Sequence, residues 1–217
     1  MRILTVSAVL ALLLVSLTIV GCASTGTDKA AGTSMAVENY LSGLLKGKGD
    51  IDRVVASLNQ VAEAKGQLKP QFERFKAALK TLESQAAHVR SIRNGLEGRK
   101  NDYIERWNTN NAAMKDEDLR KASEKQRDEV LAVFQKLATN ATEASKLFDP
   151  FMSKLNDIAK YLDVNLNAKG IAQITAKVKE VAEEAGPIKA KIDEIKADMK
   201  VLLADMKDST PTDAPAK

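Results

Sequence analysis

Few side chains in this sequence could take part in covalent or acid–base chemistry. The single histidine, His88, has no cysteine or clustered carboxylate near it in the chain, so it lacks the partners of a metal site. The acidic pairs Glu183-Glu184 and Asp193-Glu194 are adjacent, and adjacent helical positions point to different faces. No glycine-rich phosphate loop, serine elbow or histidine-bearing triad can be assembled. We therefore expect neither an enzyme nor a cofactor.

The only cysteine, Cys22, follows a segment with the layout of a secretory signal. Residues 1–2 form a basic start, residues 3–20 form a hydrophobic body, and Ile19-Val20-Gly21 precede the thiol. Small residues before a lone cysteine are typical of a bacterial lipobox, in which the thiol is acylated and the chain is cut before it. The sequence predicts a lipoprotein signal peptide over 1–21 and a lipid anchor, with palmitate, on Cys22. The alternative is a retained membrane helix over residues 3–20, which are just numerous enough to span a bilayer.

The residue after the cysteine bears on the destination of the protein. Ala23, and not aspartate, follows Cys22, and by resemblance to enterobacterial sorting this predicts an outer-membrane lipoprotein that faces the periplasm. Cleavage removes Arg2 and leaves the mature chain one charge below the net +4 of the full sequence. With 33 basic and 29 acidic residues, such a mild excess is typical of solvated helix faces, so we do not expect nucleic acid as a partner.

Two rows of apolar residues, each spaced seven apart, organise the rest of the chain. Nearly all positions in these rows are apolar, against 44% of the whole sequence, and Lys65 and Arg93 are the interruptions. A repeat sustained over this length is typical of supercoiled helices. The clearest stretch has one row of Val130, Leu137, Ala144, Phe151 and Ile158 and another of Phe134, Ala141, Phe148, Leu155 and Leu162.

The pattern predicts an all-α fold, an elongated antiparallel three-helix bundle or coiled coil with a short N-terminal helix. Residues 22–33 are small and polar, and we expect a flexible tether there. The bundle domain is expected over residues 34–207. Residues 208–217 contain two prolines and are predicted to be a disordered tail.

Glycine and proline set the expected limits of the first two helices. The short helix is expected over Met35–Lys46, because Gly47-Lys48-Gly49 can end it and Asp50 can cap the next helix. Pro70 is expected to kink the second long segment. We expect this segment to weaken over Asn94–Gly98 and yet to continue to about Ala113.

The later boundaries follow from turn residues. Asp116 or Asp118 is expected to cap the third helix, which passes Pro150 and ends around Val164. Residues 165–167 form the expected turn before the fourth helix. That last helix is too short to reach the turn near Lys115, so Tyr103 and Trp107 are predicted to lie at a two-helix tip. Exposed aromatic rings there are candidates for contact with a partner.

Several short motifs occur together in one order. They are Leu119-Arg120 and Ser123, Asp149-Pro150, and Asn165-Leu166-Asn167-Ala168 followed by Ile171, with Tyr40, Asp50, Arg53-Val54, Phe72, Phe75 and Trp107 at matching places. This arrangement resembles an uncharacterised bacterial group, domain-of-unknown-function family 2959. The resemblance implies a helical envelope protein with no assigned activity and supplies no catalytic residue. Physically, Asn165 can end one helix and Asn167 can cap the next.

A second resemblance concerns Lys217, which follows the predicted tail. The murein lipoprotein, a helical outer-membrane protein, has a terminal lysine joined to peptidoglycan. We expect a lipid-anchored structural or partner-binding protein of the cell envelope, or alternatively a peptidoglycan tether through Lys217. The expected partners are the membrane, through Cys22, and an envelope protein or the cell wall. No small-molecule substrate is expected.

Overall fold

A computed structural model of the chain describes residues 26–64 and 66–208. Within these ranges the chain forms four helices and no strand: α1 is Gly26–Glu63, α2 is Leu68–Ala113, α3 is Glu117–Val164 and α4 is Ala168–Asp208. The predicted all-α bundle is confirmed. The predicted number of three long helices with a short leading one is wrong, since α1 has 38 residues.

The four helices pack in a ring. Each helix packs against the next one along the chain, α4 closes the ring against α1, and the backbones of helices across the diagonals do not approach closely. Lys48 of α1 pairs with Asp193 of α4 at 2.6 Å. One turn further along α1, Asp52 pairs with Lys189, which lies one turn back along α4. The neighbours are therefore antiparallel, and the start of α1 and the end of α4 lie at the same end as the α2–α3 turn.

Helix α1 covers residues 26–33 of the predicted tether, the predicted short helix and the predicted break, while residues 22–25 of the tether lie outside the described residues. Residues 26–33 are helical, and the helix continues through Gly47-Lys48-Gly49 without interruption. Gly43 is buried, and a Cβ atom there would lie only 3.3 Å from Cγ2 of Val89 on α2. The interface between α1 and α2 is the most extensive of the bundle. Its packing outweighs the low helix propensity of glycine, which is about 1 kcal/mol worse than alanine.

The first break comes after α1 ends at Glu63 and before α2 begins at Leu68, later than expected. Gln67 has a left-handed backbone conformation, with φ 52° and ψ 43°. Pro70 then occupies the third position of α2, where its missing N–H has no partner to lose, and so the predicted kink at Pro70 is wrong. Lys65, which interrupts the apolar row, lies outside the described residues.

The remaining boundaries agree with expectation. Helix α2 runs unbroken through Asn94–Gly98 to its last residue, Ala113. The carboxylate of Asp116 caps α3, because its Oδ1 accepts the N–H groups of Asp118 and Leu119, both at 3.0 Å. Helix α3 then passes Pro150 without ending, and α4 starts four residues after α3 stops.

The core of the rod consists of the apolar rows, and Arg93 keeps an exposed side chain as expected. Helix α3 alone has 48 residues, about 72 Å at 1.5 Å per residue. The smallest of the four interfaces is that between α2 and α3. The largest fully buried side chains are Phe75, Phe151, Ile51, Leu58, Leu82, Leu155, Leu162, Ile188, Ile195, Met199, Leu202 and Met206.

Candidate functional site

Two of the predicted site residues, Cys22 and Lys217, lie outside the described residues, and so does the hydrophobic body of the predicted signal. The described helix nearest to Cys22 begins at Gly26. No helix in the described ranges has an apolar stretch that could cross a membrane. Within the same ranges no three or more His, Cys, Asp or Glu side chains are grouped to hold a metal ion. His88 is exposed on α2.

The aromatic pair lies near the α2–α3 turn, but Tyr103 is not exposed as predicted and Trp107 is half-buried. Tyr103 is buried, with 7% of its surface accessible, and this burial raises the pKa of its phenol. The rings of Tyr103 and Trp107 are 5.3 Å apart and tilted by 55°. The Trp107 indole N–H donates to Oγ of Ser123 on α3 at 2.7 Å. The Ser123 hydroxyl in turn donates to Oδ1 of Asn111 at 2.6 Å.

This hydrogen-bond chain gives Trp107 a role inside the molecule, since it joins α2 to α3 beyond the four-helix region. Sequence reasoning missed Ser123 and Asn111 as its partners, although polar residues facing the tip from both helices were the available signal. The large apolar side chains exposed near the turn are Met114 and Leu119, at 36% and 64%. They now offer the accessible apolar surface that was expected of the aromatic pair.

Charged side chains join α3 to α4 along one seam. Asp198 is buried on α4, where it accepts the Nζ of Lys136 at 2.6 Å and the Nδ2 of Asn140 at 2.7 Å. Further along, Lys191 lies between Glu143 at 2.9 Å and Glu194 at 2.6 Å. The hydrogen bond and charge of Lys191 lower the pKa of Glu143. Each cation is matched by carboxylates, so this seam fixes helix register and presents no free acid or base.

A second ion-pair arrangement, within α1, has a buried carboxylate. Asp50, which the sequence suggested as a helix cap, is 1% exposed in the middle of the helix and pairs with Arg53 one turn later. Its Oδ2 atom has no hydrogen-bond partner among the described residues. The exposed guanidinium of Arg53 supplies the compensating charge.

All four helices line an apolar space near the middle of the rod, which we call the mid-bundle cavity. Its volume is about 100 Å³, and Ala86, Ala141 and Ala144 form part of its wall. These three alanines occupy positions of the apolar rows at one level of the bundle. Larger side chains at the same positions would fill the space. Sequence reasoning missed the cavity because it counted alanine simply as apolar. Which alanines share a level depends on the register between helices, so the sequence offered no direct signal for the cavity.

A groove between α2 and α3 adjoins this cavity. Its volume is about 300 Å³, and Tyr40, Arg93 and Ala141 line both spaces. The phenol of Tyr40 has a raised pKa because it is buried, and the nearby charge of Arg93 partly opposes this effect. The cavity and the α2–α3 groove therefore adjoin at these three residues, with the cation of Arg93 beside both.

A sequence profile of the family described as protein of unknown function (DUF2959) matches residues 23–213. No curated protein and no solved structure matches the chain. The match includes the helices α1 to α4 and the Asn165–Ala168 turn on which the resemblance was based. The predicted resemblance is confirmed, and the chain belongs to domain-of-unknown-function family 2959.

Proposed function

We propose that the protein is a lipid-anchored rod of the bacterial cell envelope, attached to the outer membrane through Cys22 and facing the periplasm. In this role it is a structural or partner-binding element. The observation that carries the proposal is the start of α1 at Gly26, because only three residues separate this helix from the cysteine of the predicted lipobox.

The short separation restricts the orientation of the rod. Four steps along an extended chain span at most about 14 Å, so acylated Cys22 would hold the start of α1 close to the bilayer. The α2–α3 turn lies at that end of the rod, with Met114 and Leu119 exposed on it. The end of α1, the start of α2 and the turn between α3 and α4 lie at the opposite end, where a partner in the periplasm would be met.

The alternative, a peptidoglycan tether through Lys217, receives less support from this geometry. Helix α4 ends at Asp208, at the same end of the rod as the start of α1. Nine residues further, Lys217 could reach at most about 32 Å from that point. Attachment of the cell wall at Lys217 would therefore place the wall near the same end of the rod as the lipid anchor, and the rod would not span the distance between them.

Acylation is tested by metabolic labelling of cells with an alkyne-bearing fatty acid. Wild-type protein should carry the label and run as the cut form, whereas Cys22→Ala should lose the label and keep residues 1–21. Ser24→Ala is the matched control and should behave as wild type. An unlabelled wild type, or a Cys22→Ala variant that is still labelled and cut, would contradict the anchor.

Sorting is tested separately by membrane fractionation. Ala23→Asp should move the protein from the outer-membrane to the inner-membrane fraction without loss of label. An outer-membrane assignment is contradicted if wild-type protein already fractionates with the inner membrane.

A further inference from the structure

We propose that the protein binds one long acyl chain of an amphiphile that has an anionic head group. The acyl chain lies in the slot formed by the mid-bundle cavity and the α2–α3 groove, and the head group lies at Arg93. The inference rests on the described helices alone and does not depend on acylation of Cys22.

The length of the slot suits one acyl chain. Along α3 its lining extends from Phe134 in the groove to Phe148 in the cavity, fourteen residues apart and therefore about 21 Å. An acyl chain in a bilayer covers one half of a hydrocarbon core about 30 Å thick, or about 15 Å. With its head group at Arg93, such a chain can follow the cavity along α2 as far as Leu82, eleven residues or about 16 Å away.

The width of the cavity favours a linear chain over a ring. The volume of about 100 Å³ is smaller than the cavity of about 150 Å³ that admits benzene in an engineered protein. The wall is mainly aliphatic, with Leu44, Ile51 and Ile188 among its side chains. Gln85 is also part of the wall, but its amide already donates to the carbonyl oxygen of Gly43 at 2.9 Å. An apolar guest is therefore favoured over water.

The charge at the slot selects the head group. Arg93 is exposed, lines both the cavity and the groove, and forms no ion pair with any carboxylate of the described ranges. The other charged side chains nearby are matched: Arg90 pairs with Asp149 at 2.8 Å, and Glu97 pairs with Lys100. A carboxylate or phosphate at Arg93 would gain a charge-assisted hydrogen bond.

The small interface between α2 and α3 supplies the way in. The α2–α3 groove follows this seam, where the two helices make fewer contacts than any other neighbouring pair. An acyl chain can enter sideways there without separating the extensive α1–α2 interface. Free fatty acids and membrane phospholipids both have the required chemistry.

The test is photo-crosslinking of the full-length protein in isolated membranes. One arm uses a long-chain fatty acid with a diazirine in its chain, and the other uses vesicles containing phosphatidylglycerol with the same diazirine acyl chain. Crosslinked peptides are mapped by mass spectrometry. Saturable labelling of the segment from Phe134 to Phe148 in either arm supports the site and identifies the source, and no saturable labelling there in both arms overturns it.

Variants separate the slot from general lipid contact. Ala141→Leu should abolish labelling of that segment because it fills the passage between cavity and groove, and Ala144→Leu should do the same from inside the cavity. Ala132→Leu, on the exposed side of α3, is the matched control and should label as wild type. Labelling that survives in either folded filling variant, verified by its thermal unfolding curve, overturns the proposal.

A further variant tests the head-group contact. Arg93→Gln should weaken labelling by the fatty acid about tenfold, since it removes a charge-assisted hydrogen bond, and should leave labelling by the corresponding photoreactive alcohol unchanged. Equal effects on acid and alcohol would overturn the assignment of Arg93.

Discussion

Gly170→Ala is expected to destabilise the bundle although it adds a single methyl group to a helix. Gly170 is buried at the third position of α4, and its N–H donates to Oδ1 of Asn167 at 3.0 Å. A Cβ atom there would lie 1.8 Å from the carbonyl oxygen of Asn165 and 3.0 Å from its carbonyl carbon. Carbon and oxygen atoms normally approach no closer than about 3.3 Å, so the backbone of the α3–α4 turn must move.

The expected magnitude follows from two opposing effects. Alanine gains about 0.5–1 kcal/mol over glycine within a helix, whereas forcing extra volume into a packed site costs typically about 1–3 kcal/mol and occasionally more. The obstructing atom at Gly170 belongs to the backbone, which places this site at the upper end of that range. We expect a net loss of about 2 kcal/mol, or a fall in Tm of about 4–8 °C for a chain of this size.

Gly98→Ala is the matched control, because a Cβ atom at Gly98 would meet nothing within 4 Å. This variant should gain about 0.5–1 kcal/mol from helix propensity. Both variants are compared with wild type by urea and thermal unfolding, followed by far-UV circular dichroism. The reasoning is refuted if Gly170→Ala is as stable as Gly98→Ala.

Three further perturbations follow from the polar contacts. Asp198→Ala leaves the amide of Asn140 without its acceptor and should lower the free energy of unfolding in urea by about 2 kcal/mol; an unchanged midpoint would contradict this. Ser123→Ala should cost about 1 kcal/mol and shift the fluorescence of Trp107, the single tryptophan, whereas an unchanged emission spectrum would show that the indole bond is unimportant. Lys191 lowers the pKa of Glu143 from its ordinary value of 4.5, so the unfolded chain binds the proton first on acidification. The stabilisation that this ion pair gives the folded chain should be present above pH 4.5 and should be lost as the pH falls through the lowered pKa of Glu143. The Tm should fall over the same pH range, and this fall should be smaller in the Glu143→Gln variant.

The sequence predicted those elements whose signals are local. The cap at Asp116 and the turn at Asn165–Ala168 have limits set by side chains next to them, and the structure places both as expected. The first helix was misjudged because the fate of Gly47-Lys48-Gly49 depends on packing against α2, which is distant in the chain. Pro70 was misjudged for a related reason, since the preceding break had not been recognised.

The candidate site was less accessible from the sequence than the fold. Periodicity indicates which residues face the core, but the mid-bundle cavity depends on how levels of different helices coincide. Ala86 and Ala141 line the same cavity because of the register between α2 and α3, and the spacing within either helix does not give that register. The burial of Tyr103 was likewise not foreseen from the row spacing within α2.

The unequal interfaces bear on how the molecule assembles. The α1–α2 and α3–α4 pairs are joined by short turns and share much surface, so each hairpin can form early from contacts near in sequence. The two hairpins must then dock by packing α1 against α4, the two helices farthest apart along the chain. The small α2–α3 interface contributes little to this docking. Such closure carries a larger entropic cost and comes late. An unpaired hairpin would expose its apolar rows, and so this docking step is the stage most vulnerable to aggregation.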